Sequence, residues 1–203
     1  MGILSIVLSY LIGAVSFSYL TGQLLKKLDI RDHGSGNAGA TNTLRVLGIG
    51  PAIAVLLLDC GKGILAVWLG YLMSGGDPVI SAGAGVAAVI GHNWPVFFGF
   101  RGGKGVATTI GVLATLVFWP ALIAGTIAIL SIVFTRYVSL GSLLFVIGTT
   151  VLTAALYNVF NYPFEYIYFL AGLTILSVWR HNENVKRLMK GTESKLGQKV
   201  KAT

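Results

Sequence analysis

Apolar residues form seven long runs along the chain, and short polar or glycine-rich connections separate them. A helix that crosses a membrane needs about 20 mostly apolar residues, and most of the runs approach that length; they cover residues 2–20, 50–73, 79–98, 105–118, 120–134, 139–156 and 164–179. We therefore predict an all-α, polytopic membrane protein with seven transmembrane helices, in which residues 1–203 form a single integral-membrane domain. Glycines inside the runs, such as Gly83, Gly85 and Gly91, are typical of close helix packing in membranes.

Only Trp119-Pro120 interrupts the apolar stretch between residues 105 and 134. Because proline disrupts helix continuation, we interpret this pair as a tight turn between two spans; one long kinked helix is the alternative. The positive charges favour the turn, since with seven spans 14 of the 15 Lys and Arg residues fall on one side of the membrane and Lys62 is the exception. The positive-inside rule then places the N-terminus outside and the C-terminus in the cytoplasm.

Composition excludes several classes of protein. Charged residues make up 11% of the chain and hydrophobic residues 55%, whereas a soluble domain is about 25% charged and a disordered chain is poor in hydrophobic residues. No Lys or Arg precedes the first run, which is therefore predicted to be a retained helix and not a signal peptide. Cytoplasmic loops that orient the helices and contact anionic lipid account for the net charge of +8, so nucleic-acid binding is not needed to explain it. The single cysteine, Cys60, excludes an intrachain disulfide.

The first polar connection, residues 34–45, alternates glycine with Ser, Asn and Thr and ends at Arg45. Backbone N–H groups in glycine-rich turns form concavities that bind anions, and a guanidinium offers a planar fork to phosphate oxygens. An ordinary flexible loop has a similar composition. The connection is therefore a candidate anion site, with a simple loop as the alternative.

A second polar connection carries residues 91–95, Gly-His-Asn-Trp-Pro, and residues 101–105, Arg-Gly-Gly-Lys-Gly, directly before an apolar run. A glycine-rich turn with a lysine at a helix N-terminus suits phosphate, because backbone N–H groups and the helix dipole point at the ligand. The turn is not a P-loop, since Gly105 follows Lys104 where Ser or Thr is required, and this argues against nucleotide hydrolysis. A basic turn that anchors the topology is the alternative.

The third polar segment, residues 180–188, contains His181 and Asn184. Residues three apart share a face of a helix, and a histidine and an amide directed at one site suit a base and its orienting group. An amphipathic tail lying on anionic lipid is the alternative.

Two polar pairs lie inside the runs themselves. Asp59 and Lys62 are three residues apart in the second run, where ionisable groups are costly and tend to pair. We favour a structural ion pair over direct support of a site. Ser139 and Ser142 open the sixth run, and one of them is a candidate to face the site, although serines at a helix start are also ordinary.

The polar segments together resemble a known family. Residues 34–42, residues 91–95 with 102–108, and residues 181–184 with 187–188 are similar to the three signatures of the bacterial acyl-phosphate:glycerol-3-phosphate acyltransferase (PlsY) family, and residues 58–63 also fit its pattern. The resemblance implies a multi-pass enzyme of the bacterial cytoplasmic (inner) membrane with its active site at the cytoplasmic face. Such an enzyme transfers an acyl group from acyl phosphate to the 1-hydroxyl of glycerol 3-phosphate. The products are 1-acylglycerol 3-phosphate (lysophosphatidate) and inorganic phosphate, in the first step of bacterial phospholipid synthesis.

The resemblance also implies the residues of the site. The catalytic residues would be Ser35, Arg45, Lys104, His181 and Asn184. Arg45 and Lys104 would hold phosphates, and the glycines of the second connection would supply backbone donors. Substrate contacts are implied for Asn37, Gly39, Thr41, Asn42, His92, Gly102, Gly103, Gly105 and Ser142. No metal and no cofactor is expected, because three scattered histidines and one cysteine lack a ligand spacing.

The expected partners are glycerol 3-phosphate, a long-chain acyl phosphate and membrane lipid, with functional coupling to the enzyme that forms the acyl phosphate and to the next acyltransferase. Either His181 or a phosphate oxygen of the substrate would take the proton of the acceptor hydroxyl. A covalent route through Ser35 is the third alternative, and we predict direct acyl transfer. Two other classes of protein stay open at this point: a small transporter for an organic phosphate and a non-catalytic lipid-binding membrane subunit.

Overall fold

The computed structural model describes residues 1–198, and all of their regular structure is helical. These residues form two compact units, residues 1–112 and residues 113–198. Two of the basic residues that we predict to be cytoplasmic, Lys199 and Lys201, lie outside the described residues. The all-α prediction is confirmed for residues 1–198, and the single domain over residues 1–203 stays a prediction.

The first unit begins with an interrupted helix. Its helices are α1 (Gly2–Gly13), α2 (Phe17–Lys26), α3 (Ala40–Leu47), α4 (Ile49–Ser74), α5 (Pro78–Asn93) and most of α6 (Val106–Leu116), which continues into the second unit. The helix predicted over residues 2–20 is broken before α2, where Ser16 is extended, with φ −90° and ψ 93°. The Ser16 hydroxyl accepts a hydrogen bond from the Tyr19 N–H at 3.5 Å, so it caps the new helix.

Glycines allow the helices of the first unit to pack closely. A Cβ atom on Gly13 of α1 or on Gly91 of α5 would overlap the backbone of the other helix. A Cβ atom on Gly85 would lie 2.7 Å from the Val112 side chain of α6. The packing role predicted for Gly85 and Gly91 is therefore confirmed, because a larger side chain would force the helices apart.

The second unit holds the remaining helices of residues 113–198, which are α7 (Phe118–Thr135), α8 (Val138–Leu156), α9 (Glu165–Arg180) and α10 (Asn182–Met189). Val117 separates α6 from α7, with a non-helical φ of −141° and ψ of 63°. Pro120 consequently lies in the first turn of α7, where proline is tolerated because its missing N–H has no intrahelical partner. Two helices occupy this stretch, as predicted, but the break falls before the predicted Trp119-Pro120 pair.

Several of these helices have the length and apolar character of membrane spans. Within residues 1–198 there are five such segments, Gly2–Lys26, Ile49–Ser74, Pro78–Phe98, Phe118–Thr135 and Val138–Leu156. The apolar α6 has 11 residues and α9 has 16, fewer than the about 20 that a span needs. The prediction of a multi-pass helical membrane protein is thus confirmed, and the count of seven spans and their orientation stay predictions.

Side-chain size along the helices also fits a lipid environment. Large apolar side chains such as Leu72 and Ile129 are 70% and 63% exposed, whereas Ser5, Ser9 and Thr153 are 0% exposed. Small residues permit close approach between helices in a membrane. The large apolar side chains are therefore positioned to face lipid, and the small polar ones to fill helix contacts.

Candidate active site

The first predicted motif forms a loop before α3, and Asn42 holds that loop together. Asn42 is 1% exposed, its Oδ1 accepts a hydrogen bond from the Ser35 N–H at 2.8 Å, and its Nδ2 donates to two loop carbonyls, both at 3.0 Å. Gly34 and Gly36 flank Ser35 with φ of +64° and +69°, a backbone region that favours glycine. Ser35 is therefore exposed on a braced loop, whereas Asn42 uses both of its amide protons within the protein.

The start of α3 carries three further predicted residues. Gly39 directly precedes the helix, and its carbonyl accepts the first hydrogen bonds of α3. Asn37 and Thr41 are half-buried on either side of it, and Arg45 is half-buried in the last turn of α3. Helix N-termini favour anions because their N–H groups lack intrahelical partners. The motif thus combines a helix start, uncharged donors and one guanidinium within about twelve residues of sequence, as a phosphate site requires.

The second predicted motif meets the first at Gly103. The Gly103 N–H donates to the His92 carbonyl at 3.1 Å, and a Cβ atom on Gly103 would overlap both the His92 Nε2 and the Ala38 carbonyl of the first loop. A Cβ atom on Gly102 would overlap the His92 carbonyl as well. Only glycine fits these contacts: Gly103 allows the two loops to touch, and Gly102 allows the second loop to pack against the end of α5. Because the Gly103 N–H is engaged by His92, Gly102 and Gly105 are the remaining candidates for backbone donors.

The end of the second motif leads into α6. Gly105 has a φ of +77°, and α6 begins at the next residue, Val106. Lys104 is half-buried immediately before this helix start. A lysine and a glycine turn therefore lie at a helix N-terminus, an arrangement that favours phosphate because backbone N–H groups and the helix dipole point at the anion.

Arg31 joins the two loops, and none of the three sequence motifs includes it. Its guanidinium pairs with Asp29 at 2.7 Å and donates to the carbonyls of Phe98 at 2.6 Å and Arg101 at 3.1 Å. The hydrogen bond from Arg31 lowers the pKa of the Asp29 carboxyl below its usual value. The guanidinium also lies 4.9 Å from the centre of the Tyr19 ring, within cation–π distance. Arg31 thus fixes the second loop against the start of the first.

A buried ionic cluster lies next to the second loop. The Lys62 Nζ is 2.8 Å from the Asp59 Oδ1, and the His92 Nδ1 is 3.5 Å from the same oxygen. Lys62 also donates to the Val15 carbonyl at 2.8 Å, at the break between α1 and α2. The three side chains are 1% to 6% exposed. The predicted Asp59–Lys62 ion pair is therefore confirmed, and His92 is part of it.

The third motif surrounds a carboxylate, Glu193. The Asn184 Nδ2 donates to the Glu193 Oε1 at 2.6 Å, and the Ser139 hydroxyl donates to the same oxygen at 2.7 Å. The Arg187 Nε donates to the other oxygen, Oε2, at 2.7 Å. Burial raises the pKa of Glu193, but the hydrogen bonds from Asn184, Ser139 and Arg187 outweigh it and hold the pKa below its usual value.

His181 lies between α9 and α10 and is 2% exposed. Its Nδ1 is 2.8 Å from the Ser177 carbonyl oxygen. A carbonyl oxygen only accepts hydrogen bonds, so Nδ1 is the donor of this bond, and in a neutral ring the lone pair would then lie on Nε2. The ring orientation therefore suits Nε2 as the proton-accepting atom.

Ser142 and Ser139 have different surroundings. The Ser142 hydroxyl donates to the Val138 carbonyl one turn earlier at 2.9 Å, whereas Ser139 binds Glu193 across 54 residues of sequence. Ser142 was the residue predicted to contact substrate, and the structure links Ser139 to the third motif. The sequence signal for Glu193 was weak, because one acidic residue in a basic tail resembles an ordinary surface charge.

The predicted site residues divide between the two units. The first unit contains those of the first and second motifs, which meet at Gly103 and Arg31, and the second unit contains Ser142, His181 and Asn184. Across the described part of the chain, no three His, Cys, Asp or Glu side chains converge as metal ligands would.

Known proteins resemble this chain over almost its whole length. A family model described as glycerol-3-phosphate acyltransferase matches residues 3–191. A glycerol-3-phosphate acyltransferase of Shouchella clausii (strain KSM-K16) is 61% identical, with 97% of each chain covered. One of Halalkalibacterium halodurans is also 61% identical, with 100% of this chain and 99% of the relative covered.

Two solved structures share the fold. The glycerol 3-phosphate form of PlsY, an integral membrane glycerol 3-phosphate acyltransferase, superposes with a TM-score of 0.88 at 35% identity over 97% of this chain and 96% of that chain. The lysophosphatidic acid form of PlsY gives a TM-score of 0.86 at 34% identity, over 97% and 95% of the two chains. The chain therefore belongs to the glycerol-3-phosphate acyltransferase (PlsY) family, as its three sequence motifs predicted.

Proposed function

We propose that this protein transfers an acyl group from a long-chain acyl phosphate to the 1-hydroxyl of glycerol 3-phosphate, as the first step of bacterial phospholipid synthesis. The family is one of acyltransferases, and PlsY structures with glycerol 3-phosphate and lysophosphatidic acid support the acceptor and the product. The acyl-phosphate donor follows from the motif resemblance and from chemistry. Both substrates then carry a phosphate, and the acyl tail of the donor suits the apolar helices.

The observation that carries the proposal is the meeting of two glycine-rich loops in the first unit, each followed by a helix and each with a cation in its motif. Arg45 belongs to the first motif and Lys104 to the second. We assign the binding of substrate phosphates to these two side chains, with Gly102 and Gly105 as backbone donors. Ser35, Asn37, Gly39 and Thr41 contribute polar contacts in the same loop region. Asn42 and His92 hold the loops in shape.

The reaction needs positioning more than a reactive side chain. An acyl phosphate is a mixed anhydride, so its carbonyl is already activated. The 1-hydroxyl oxygen of glycerol 3-phosphate attacks the carbonyl carbon, the bond from that carbon to the phosphate oxygen breaks, and inorganic phosphate leaves. Cations that stabilise charge on the phosphate and carbonyl oxygens, together with fixed orientation, supply most of the catalysis.

The acceptor proton needs a destination, and we propose the His181 Nε2. The hydrogen bond from Nδ1 to the Ser177 carbonyl supports this tautomer. Asn184 would orient a substrate oxygen, and its own amide is anchored by Glu193. A phosphate oxygen of the substrate is the alternative base. Direct transfer predicts no acyl-enzyme, so an acyl group trapped on the wild-type protein and absent from Ser35→Ala would overturn the direct route.

The chain would reside in the bacterial cytoplasmic membrane with seven spans. We propose that its N-terminus is outside, its C-terminus is cytoplasmic, and its active site is at the cytoplasmic face. The basic connections support this orientation. Functional coupling to the enzyme that forms acyl phosphate and to the next acyltransferase follows from a donor and a product that both partition into lipid. Membership of an acyltransferase family weighs against the transporter and the lipid-binding subunit.

A reconstituted assay tests the proposal. Purified protein is supplied with palmitoyl phosphate and glycerol 3-phosphate, and the release of phosphate and the formation of lysophosphatidate are followed. Palmitoyl-CoA serves as the donor control, and Lys104→Ala is compared with Lys190→Ala, which changes an exposed lysine. We expect product from acyl phosphate alone and a loss of about 100-fold or more in Lys104→Ala only, as for removal of one charge-stabilising donor. Product from palmitoyl-CoA, or intact substrates, would refute the proposed donor.

A further inference from the structure

Asp59 lies at the centre of the buried ionic cluster, between a lysine of its own helix and a histidine of the next. Lys62 and His92 both face the same carboxylate oxygen, Oδ1, at 2.8 Å and 3.5 Å. Asp59 is 1% exposed. A carboxylate buried inside a helical membrane protein is costly, so its partners indicate what it does.

The α4–α5 hairpin explains why these residues meet. Asp59 precedes the end of α4 at Ser74 by about four helical turns, and His92 follows the start of α5 at Pro78 by about four turns. Antiparallel helices joined by the short connection at residues 75–77 therefore place the two side chains at the same level. The level coincides with the C-terminal end of α5, from which the second motif continues.

Lys62 has a structural role of its own. Its Nζ binds the Val15 carbonyl at 2.8 Å, in the break between α1 and α2, and lies 5.6 Å from the centre of the Phe17 ring. A helix break inside an apolar segment leaves carbonyls without partners. Lys62 thus stabilises the break, and Asp59 neutralises Lys62.

The other partner of Asp59 connects the cluster to the second loop. The His92 Nδ1 faces Asp59, while its Nε2 edge contacts Gly103, and its carbonyl accepts the Gly103 N–H at 3.1 Å. A carboxylate that holds one nitrogen of an imidazole fixes the tautomer and the plane of the ring. The plane of the His92 ring in turn sets how closely Gly103 approaches it.

We propose that Asp59 is a positioning residue for the reaction, which acts through the His92 ring to hold residues 102–105 in their phosphate-binding shape. The inference rests on the proposed function, because it assumes that this loop binds a substrate phosphate. It gives Asp59 a role in addition to the ion pair with Lys62. It also explains why a buried histidine, and not an apolar residue, supports the glycine loop.

A double variant without the charges of Asp59 and Lys62 distinguishes the ion pair from the positioning role. Asp59→Asn leaves Lys62 buried without its carboxylate and should lower thermal stability. The double variant Asp59→Asn/Lys62→Met removes both charges and should recover much of that stability. If Asp59 positions His92, the KM for the substrate whose phosphate occupies the loop should still rise about tenfold in the double variant. A loss of this size is typical when a carboxylate that orients a functional histidine is removed. Recovery of both stability and KM would overturn the proposal and leave only an ion pair.

A double-mutant cycle tests whether the effect passes through His92. In the His92→Gln background, Asp59→Asn should change the KM less than twofold, because the group through which it acts is gone. A tenfold effect that reappears in full in that background would refute the proposal. Asp77→Asn is the matched control: Asp77 caps the opposite end of α5 through the Val79 N–H at 2.8 Å. This control should lower stability and leave both KM values unchanged.

A spectroscopic measurement keeps the inference independent of turnover. The chain has three histidines, so the ring nitrogens of His92 can be resolved by ¹⁵N-histidine labelling in detergent. Asp59→Asn should shift the His92 nitrogens and leave those of His33 and His181 in place, whereas Asp77→Asn should shift none. Unchanged His92 signals in Asp59→Asn would overturn the proposal. Absence of acyl transfer by the wild-type protein would instead refute the proposed function.

Discussion

Replacing Glu193 by glutamine tests the network around the third motif with the smallest change in shape. The carboxylate accepts hydrogen bonds from Asn184 at 2.6 Å, from Ser139 at 2.7 Å and from Arg187 at 2.7 Å. Glutamine keeps one acceptor oxygen, but it replaces the other with an NH₂ group that cannot accept from Arg187. The substitution also removes the negative charge that strengthens all three bonds.

The expected loss follows from these contacts. Bonds to an ionised group contribute about 1.5–3 kcal/mol and bonds to a neutral group about 1 kcal/mol, so the two buried donors, Asn184 and Ser139, together lose about 2 kcal/mol. The Arg187 side chain is 44% exposed, and solvent screening limits its share to less than about 1 kcal/mol. The total is about 2–3 kcal/mol, or on the order of 5–10 °C in the unfolding temperature of a chain this size.

The assay compares Glu193→Gln with Glu183→Gln in the same detergent. The Glu183 side chain is 63% exposed, and among residues 1–198 its one ion pair is with Lys186, so its substitution should leave the unfolding temperature within about 1 °C. Turnover should fall together with stability in Glu193→Gln, and neither property should fall in Glu183→Gln. In Glu193→Gln the Asn184 side chain loses its anchor, and a displacement of a catalytic group by about 1 Å can lower the rate about 10²-fold. Equal unfolding temperatures for the two variants would refute the reasoning.

Four further predictions follow from the same contacts. Gly103→Ala should abolish measurable acyl transfer, because its methyl group would overlap an imidazole and a backbone carbonyl, whereas Gly61→Ala, with open space around it, should be as active as the wild type. Arg31→Ala should loosen the second loop and raise KM about tenfold; an unchanged KM would show that the loops stay joined without it. His181→Gln should lower kcat by about 10²–10⁴ if Nε2 is the base, and a loss below tenfold would favour the substrate phosphate. The pKa of Glu193 is lowered in the folded protein, so its contribution to the free energy of unfolding is complete above its unfolded pKa of about 4.3 and is lost as the pH falls through the lower folded value. The unfolding temperature, measured from about pH 7 down to about pH 3, should therefore fall less steeply with decreasing pH in Glu193→Gln than in the wild type.

The positions of the helices could be predicted from apolar runs, but their interruptions could not. Ala14 and Val15 are apolar, like most residues of this run, so no change in hydropathy marks the break that begins at Ala14 and ends at Ser16. The second break shows a different limit. Proline predicted an interruption near Pro120, yet proline is acceptable in a first turn, and the non-helical residue is Val117.

The residue types of a candidate site could be proposed from the sequence, but the long-range contacts of these residues could not be predicted. Glycine, serine, asparagine and basic residues at three places predicted phosphate chemistry without any knowledge of the fold. Arg31 contacts a carbonyl 67 residues away, and Glu193 contacts a serine 54 residues away. The positive-inside rule already accounted for the charge of Arg31, so nothing in the sequence called for a second role.

In both described clusters a buried carboxylate lies next to a polar side chain of a predicted motif. Asp59 faces His92 and Glu193 binds Asn184, and the chain has only seven acidic residues in all. Burying a carboxylate in a membrane protein is costly. We therefore expect buried carboxylates where the orientation of a site residue matters more than its reactivity. The proposed direct transfer from an acyl phosphate would place most weight on orientation, because no enzyme nucleophile would have to be generated. If the reaction instead passed through an acyl-serine, a base beside Ser35 would be required, and the described contacts of Ser35 are those of a braced loop.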